Sequence, residues 1–582
     1  MKTGAWCSIE AGRRVWLLAQ VWLLLYMGLE ASGLLLPGGD SNLFASFYLS
    51  FSAAAVGLAV CLCGRHGGGG RVSFAGCLTV VVLLLCYLSL WQFRPEIVRE
   101  ASACVWLFGV GTVVLSKPSF RKVLYAVLAG WAVWMALYGL LQQCGLLVEQ
   151  GAAFPVKGVF DNPAGLGMFL ALLFPYVLAC RCASPVRWTL VLLVGCVLTL
   201  SGSRTGILAA VVAAYVCFFP SLPRWGRVAL PVAGVLLFAG LYFCKPVSAG
   251  GRVFVACITS RLAAAHLWTG GGPFAFESGY MAEQAAYFAA HPASVWVNVA
   301  DDMKQPFNEY LHFFVRFGLV GAGWLLLCLC LICKRAVQTF EVDKRPALAS
   351  LAALAVCACF SYPFYYPLVC LVAIVSLGVL CAGSGENALF PKRLFGFVAV
   401  CSLGLSVLSA VQLVKERARL ALEQRAENGE LGETLSQEYE ALSQTAYFRT
   451  HPSFLYNRAL FLYECGEYAD CLLVLEQCKP YKYDYDWQML SAYTLLRLDE
   501  TRAEAAFRQA SCMLPGRLQP RYELVRLYDR TGRHDDALRC AREAMAIPLK
   551  VRNVRTEYLR RWLEGYVHEN SSREVVSGRK GR

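Results

Sequence analysis

Apolar residues crowd the first 413 positions of the chain in stretches mostly 17 to 24 residues long. They lie near 15–36, 43–63, 73–92, 101–116, 123–146, 164–180, 187–201, 205–219, 228–244, 310–333, 347–361, 367–383 and 394–413. A helix needs roughly 20 such residues to cross a bilayer, so the pattern predicts about thirteen spans, with 101–116, 187–201 and 205–219 the short ones. Past residue 414 the apolar runs give way to charged, Leu- and Ala-rich amphipathic segments, and these repeat. The stretches 466–480, 499–515 and 532–548 each place a turn, a small residue about five positions on and a closing proline, with the turns 33 residues apart. That spacing is close to the tetratricopeptide period of about 34.

The expected fold class is therefore all-α: a polytopic membrane helix bundle over 1–413, an α-solenoid of tetratricopeptide type over 414–568, and a flexible basic tail over 569–582. Tyr456–Tyr463 and Thr556–Val567 are expected to supply the outer faces of the solenoid, whose concave surface suits a peptide or partner protein.

Composition sharpens the membrane reading. Of 582 residues, 57% are hydrophobic and 16% charged, and a mean hydropathy of +0.49 excludes an ordinary soluble chain of this length. The first apolar run follows Arg13 and Arg14, but it is too long for a signal peptide and lacks a small-x-small cleavage site, so it reads as a retained helix. Lys and Arg collect on the cytoplasmic side of short loops. With the N-terminus inside, the inner loops hold eighteen such residues and the short outer loops only Arg94, Arg99, Lys157 and Arg204. An odd number of spans then puts the 245–309 loop and the C-terminal domain outside, which in a bacterial inner membrane means the periplasm. No nucleic-acid partner is expected. Most of the 26 cysteines sit in apolar runs as small hydrophobic residues. Cys330 and Cys333 have CxxC spacing without a companion His or second pair, and an oxidising compartment leaves pairing among Cys465, Cys471, Cys478, Cys512 and Cys540 open.

Four polar stretches interrupt the membrane part, where an ionisable group is costly unless it lines an aqueous cavity. In "GVFDNPAGLGMFLALLFP" (158–175), Asp161 or Asn162 can cap a helix with Pro163 in its first turn. In "LTLSGSRTGILAA" (198–210), a tight turn pins Arg204 at the outer surface, suited to an anionic ligand or to snorkelling. The outer loop from 250 carries Arg252, an amphipathic helix expected to lie on or in the membrane mouth, and Gly270 to Gly272, which read either as a plain turn or as a phosphate cradle. Finally "QPFNEYLHFFVRFGLVG" (305–321) sets Asn308, Glu309, His312 and Arg316 at the head of an apolar helix. There is no Walker sequence, no Cys–His metal signature and no Asp-x-Asp, so neither a metal nor another cofactor is expected.

Taken in order, these stretches resemble the bacterial O-antigen ligase and O-antigen polymerase superfamily over about 155–385. The resemblance rests on Gly158, Phe160, Asn162 and Pro163; on Ser201 to Thr205; on Arg252 eighteen residues before Gly270; and on Asn308, Gly318 and Gly321. A tetratricopeptide tail is similar to one branch of that superfamily. The resemblance implies transfer of a glycan from undecaprenyl diphosphate to an acceptor hydroxyl at the periplasmic face, with Arg204 and Arg252 matching the two diphosphate-binding arginines. Asn162, Gly270, Gly272 and Arg316 are the expected lining of the site.

One departure stands out. Where family ligases carry a His before the motif Asn, this chain has Phe307, which cannot accept a proton. Glu309 is the favoured replacement base and His312 the second candidate, with a branch that needs little base assistance the third reading. The acceptor is a glycolipid, a second lipid-linked glycan or a protein hydroxyl. A lipid-linked glycan transporter and an inactive scaffold binding partners through the repeats are readings of a different class.

Overall fold

The computed structural model describes residues 71–72, 118–147, 154–244, 246–338, 340–381, 388–389, 392–547 and 552–580. The runs expected at 15–36, 43–63, 73–92 and 101–116 lie outside the described residues. Nineteen helices make up almost all of what is described, beside a two-residue antiparallel pairing of Arg71–Val72 with Ala388–Leu389. In chain order they begin with α1 (Pro118–Gln143), α2 (Pro163–Leu178), α3 (Ser184–Leu200), α4 (Arg204–Phe218), α5 (Gly226–Cys244), α6 (Pro246–Ala265) and α7 (Ala275–Ala290). Next come α8 (Glu309–Gln338), α9 (Arg345–Phe360), α10 (Pro367–Cys381), α11 (Lys392–Glu427), α12 (Glu433–Ser443) and α13 (Pro452–Glu464). The chain closes with α14 (Tyr468–Cys478), α15 (Tyr485–Leu498), α16 (Glu500–Met513), α17 (Gln519–Arg530), α18 (His534–Met545) and α19 (Val554–Lys580). The chain divides into two compact units, Met1–Cys244 with Trp324–Arg417, and Lys245–Gly323 with Ala418–Arg582.

In the first unit, α2 is the centre: Leu166, Phe169, Leu170 and Tyr176 are fully buried. Glycines let α2 and α4 approach closely, since a Cβ on Gly206 would fall 2.7 Å from the Gly167 carbonyl, the small-residue contact that membrane helices use to pack without a hydrophobic driving force. A hydroxyl seam joins α2, α9 and α10: Tyr176 meets Ser376 at 2.6 Å, and Ser376 donates to Ser350 at 3.1 Å. Arg121 on α1 pairs with Glu341 at 2.9 Å and with Asp343 at 3.3 Å, tying together two segments that the charge pattern assigns to the same side. Among the described residues, Arg121–Gln143, Arg204–Ser221 and Glu309–Gln338 are long and apolar enough to cross a membrane, while Pro163–Leu178, Ser184–Leu200 and Pro367–Leu380 are shorter. The run expected as short at 205–219 reaches its length because a 3-10 turn, Phe219–Ser221, extends α4.

The second unit joins segment 245–323 to the repeats. Phe254 and Ile258 of α6 and Phe276 and Phe288 of α7 share one buried cluster with Tyr439, Phe448, Phe454 and Trp487. The apolar face of α6, expected to meet the membrane, is thus covered by protein, and α6 ends at Ala265, short of the glycines. Gln284 on α7 donates to the Met513 carbonyl at 2.7 Å. The repeats are three helical hairpins, α13–α14, α15–α16 and α17–α18. Gly466 (φ 82°) and Gly532 (φ 75°) turn the first and last of them, and Asp499 caps α16 in the middle one by accepting from the Thr501 and Arg502 amides. The small residue after each turn, Cys471, Ala503 or Ala537, is fully buried where the helices of its hairpin meet. Cys465, Cys471, Cys478, Cys512 and Cys540 are free thiols.

Candidate functional site

In the first unit the polar stretches become two helix N-termini. Gln142 at the end of α1 accepts from the Lys157 and Gly158 amides and donates to the Gly158 carbonyl at 3.0 Å, which fixes the loop before α2. Asn162 then caps α2 by accepting from the Ala164 amide at 2.6 Å, and donates to the Tyr362 hydroxyl at 2.6 Å. Asp161 accepts from Tyr366 at 2.8 Å. Asn162 is accordingly a helix cap and a tether to the α9–α10 connection. Ser203 caps α4, accepting from the Gly206 amide at 3.3 Å, and Arg204 is the first residue of that helix. A guanidinium beside the amide-rich start of a helix adds to its positive end, a setting that favours an anion.

In the second unit the head of α8 collects the remaining candidates. Asn308 caps the helix, its side-chain oxygen accepting from the Leu311 amide at 2.8 Å. Phe307 has φ 54°, the left-handed region that a bulky residue occupies only at a cost of order 1–3 kcal/mol. Its ring lies under the Arg252 guanidinium, 5.3 Å from centroid to carbon, so the aromatic side chain serves as a seat for the arginine through cation–π attraction. One turn on, His312 Nδ1 stands 3.5 Å from Glu309 Oε2, with the two side chains 8% and 13% exposed. His312 Nε2 is buried without a hydrogen-bond partner, and the imidazole packs edge-on against Phe276. Both side chains are thus nearly buried, Glu309 slightly the less so.

The glycines make a backbone crossing. Gly270, Gly271 and Gly272 donate their amides to the carbonyls of His266, Val315 and Arg316 at 2.9, 2.9 and 3.1 Å, which leaves those N–H groups engaged within the protein and corrects the cradle reading in favour of a structural turn. Opposite them α8 breaks at Gly318 (φ 61°, ψ −160°), and Leu319 and Val320 donate to the Leu267 and Trp268 carbonyls. Arg316 sits at this elbow and donates to Glu277 at 2.9 Å. Glu277 was not among the residues expected from the sequence; a lone Glu in an amphipathic helix carries no signal, and only the fold brings it to Arg316. Repeat-domain residues reach the same place, with the Tyr483 amide on the Glu277 carbonyl at 3.0 Å and the Tyr481 ring against Phe274. Nearby, burial pushes the Asp302 carboxyl up to about 7; Asp484 and Asp486 reinforce the shift, and Lys304 and Lys482 oppose it. Arg261, by contrast, is half exposed and loosely paired with Glu283 at 3.7 Å.

Comparison with known proteins finds a family likeness over part of the chain. Residues 189–326 match the O-antigen ligase family. The matched segment contains Arg204, Arg252, the glycine crossing and the head of α8, and begins after the Gly158–Pro163 stretch. This match over part of the chain supports a ligase- or polymerase-like glycan transfer at a membrane, with lipid-linked glycan and acceptor as the substrates in general. No curated protein sequence matches the chain. Among solved structures, the crystal structure of MamA is similar at 14% identity and a TM-score of 0.21, over 27% of this chain and 95% of that one.

Proposed function

We propose that the protein transfers a glycan from undecaprenyl diphosphate to an acceptor hydroxyl at the periplasmic face of the inner membrane. The acceptor oxygen attacks the anomeric carbon, the bond from that carbon to the diphosphate oxygen breaks, and the electron pair leaves on the lipid diphosphate. Arg204 and Arg252 stabilise the charge that grows on the leaving group, an interaction stronger in the transition state than before it. Glu309 takes the proton of the attacking hydroxyl. His312 is a positioning residue: packed against Phe276, it holds the Glu309 carboxylate from its buried side. Gly270, Gly272 and Arg316 shape the surroundings of Glu309 through the backbone crossing of the second unit, and Asn162, capping α2 in the first, is proposed as lining from the resemblance alone.

The observation that carries this reading is the arrangement at the head of α8, where Phe307 is strained beneath Arg252 and Glu309 is backed by a buried His312. The test is donor consumption. Protein reconstituted in liposomes with an undecaprenyl-diphosphate-linked oligosaccharide is offered a glycolipid, a second lipid-linked glycan or a Ser/Thr-containing peptide. Release of undecaprenyl diphosphate coupled to one glycosylated acceptor is expected, and intact donor with all three contradicts the proposal.

A further inference from the structure

We propose that the groove formed by α12, α13 and α14 binds a neutral oligosaccharide, as a second glycan site remote from the reacting bond; this rests on the glycan-transfer reading above. The groove encloses about 1000 Å³, at the upper end of the roughly 300–1000 Å³ typical of small-molecule sites. Its floor is apolar, built from Leu455, Phe461, Leu462 and Val474, and its walls are amides, hydroxyls and carboxylates.

One wall is preorganised. Glu440 is paired with Arg458 and accepts from Gln444 at 2.6 Å, while Arg449 donates to the Gln444 carbonyl at 3.2 Å. Both guanidinium groups of the groove are thereby engaged. Glu433, Glu467 and Asp470 add carboxylates to the lining, so with Glu440 four acids stand against two bases. That balance repels a phosphate, an acidic glycan or an anionic lipid headgroup. Gln437 and Gln477 offer an oxygen and two N–H protons each, a donor-and-acceptor set matched to sugar hydroxyls that are themselves both donor and acceptor. Tyr481 supplies an aromatic wall with a polar tip.

Continuity with the catalytic loop favours a glycan over a basic peptide. Tyr481 lines the groove and also packs its ring on Phe274, 5.3 Å away. Two residues on, the Tyr483 amide is bonded to Glu277, the partner of Arg316. A sugar chain lying in the groove is thus led toward the glycine crossing and the head of α8, as a growing or incoming glycan requires.

The experiment uses the full chain in detergent micelles and reads binding without turnover. A panel of lipid-free neutral tetrasaccharides of glucose, galactose and N-acetylglucosamine is titrated by calorimetry, with an arginine-rich heptapeptide as the comparison probe. At least one tetrasaccharide is expected to bind, and the double variant Gln437→Ala, Gln477→Ala is expected to weaken it at least fivefold with an unchanged melting temperature. Arg204→Lys is expected to bind it as wild type does while losing transfer, which separates failure of the groove from failure of the transferase reading. Binding of no tetrasaccharide, binding insensitive to the double variant, or binding of the peptide alone overturns the proposal.

Discussion

Phe307 combines a strained backbone with a cation–π contact. Its ring supports Arg252, and its backbone stays in a strained conformation to do so. Phe307→Ala keeps the left-handed backbone but removes the ring, losing a contact of roughly 0.5–2 kcal/mol. Transfer should fall several-fold, much as for Arg252→Lys, whereas Arg261→Lys at the loosely paired, half-exposed position should be close to neutral; unchanged transfer in Phe307→Ala would show that the ring does not hold the arginine. Asp302 makes a second prediction. Its folded carboxyl titrates near 7 because it is buried among Asp484 and Asp486, against about 4 in an unfolded chain. A raised acid pKa contributes stability that is complete below the unfolded value and is lost as pH rises through the folded one. The melting temperature of the wild type should therefore fall between pH 5.5 and 8 more steeply than that of Asp302→Asn, and parallel curves would contradict the assignment. Single residues were legible where a local pattern marks them: Asn162 as a cap, Arg204 in a tight turn. Glu277 and Tyr362 were not, because their partners Arg316 and Asn162 are 39 and 200 positions away.

Among the elements, α8 decides the geometry. Its break at Gly318 allows the chain to cross the glycine turn, where a Cβ would fall 2.5 Å from the Trp268 carbonyl. Gly318→Ala adds that clash to an unfavourable positive φ and should cost several kcal/mol, seen as loss of detergent-stable protein in size-exclusion chromatography. Gly323→Ala meets nothing within 4 Å and should be recovered at wild-type yield; equal recovery of both variants would rule out the crossing. Helix positions followed from the apolar runs because the run length and the caps at Asn162, Ser203 and Asn308 are local. What covers a helix is not local. The periodicity of α6 marks an apolar face, but water, lipid and protein leave the same mark in sequence, and here Phe254 and Ile258 pack against α7 and the repeats.

At the scale of the whole molecule, segment 245–323 and the repeats belong to one unit, and the loop before α8 and the repeats are expected on the same side of the membrane. Cys465 is exposed in the turn after α13 and provides a reporter. A variant retaining it as the sole cysteine should react with a membrane-impermeant maleimide once the outer membrane is permeabilised, before the inner membrane is broken; labelling only after lysis would put the repeats in the cytoplasm. The repeat architecture was legible from a 33-residue spacing because each repeat buries a small residue at the same place after its turn, while the union of the repeats with segment 245–323 depends on contacts such as Gln284 to Met513, 229 positions apart. The central claim is that charge stabilisation by Arg204 and Arg252, with proton removal by Glu309, drives glycan transfer. Its most direct measurement is single-turnover transfer from purified undecaprenyl-diphosphate-linked donor at matched protein levels, with donor binding read in parallel. Arg204→Lys and Glu309→Gln are each expected to slow transfer at least tenfold, about 1.4 kcal/mol of transition-state stabilisation, the glutamine variant with donor affinity little changed; full activity in both variants would contradict the account.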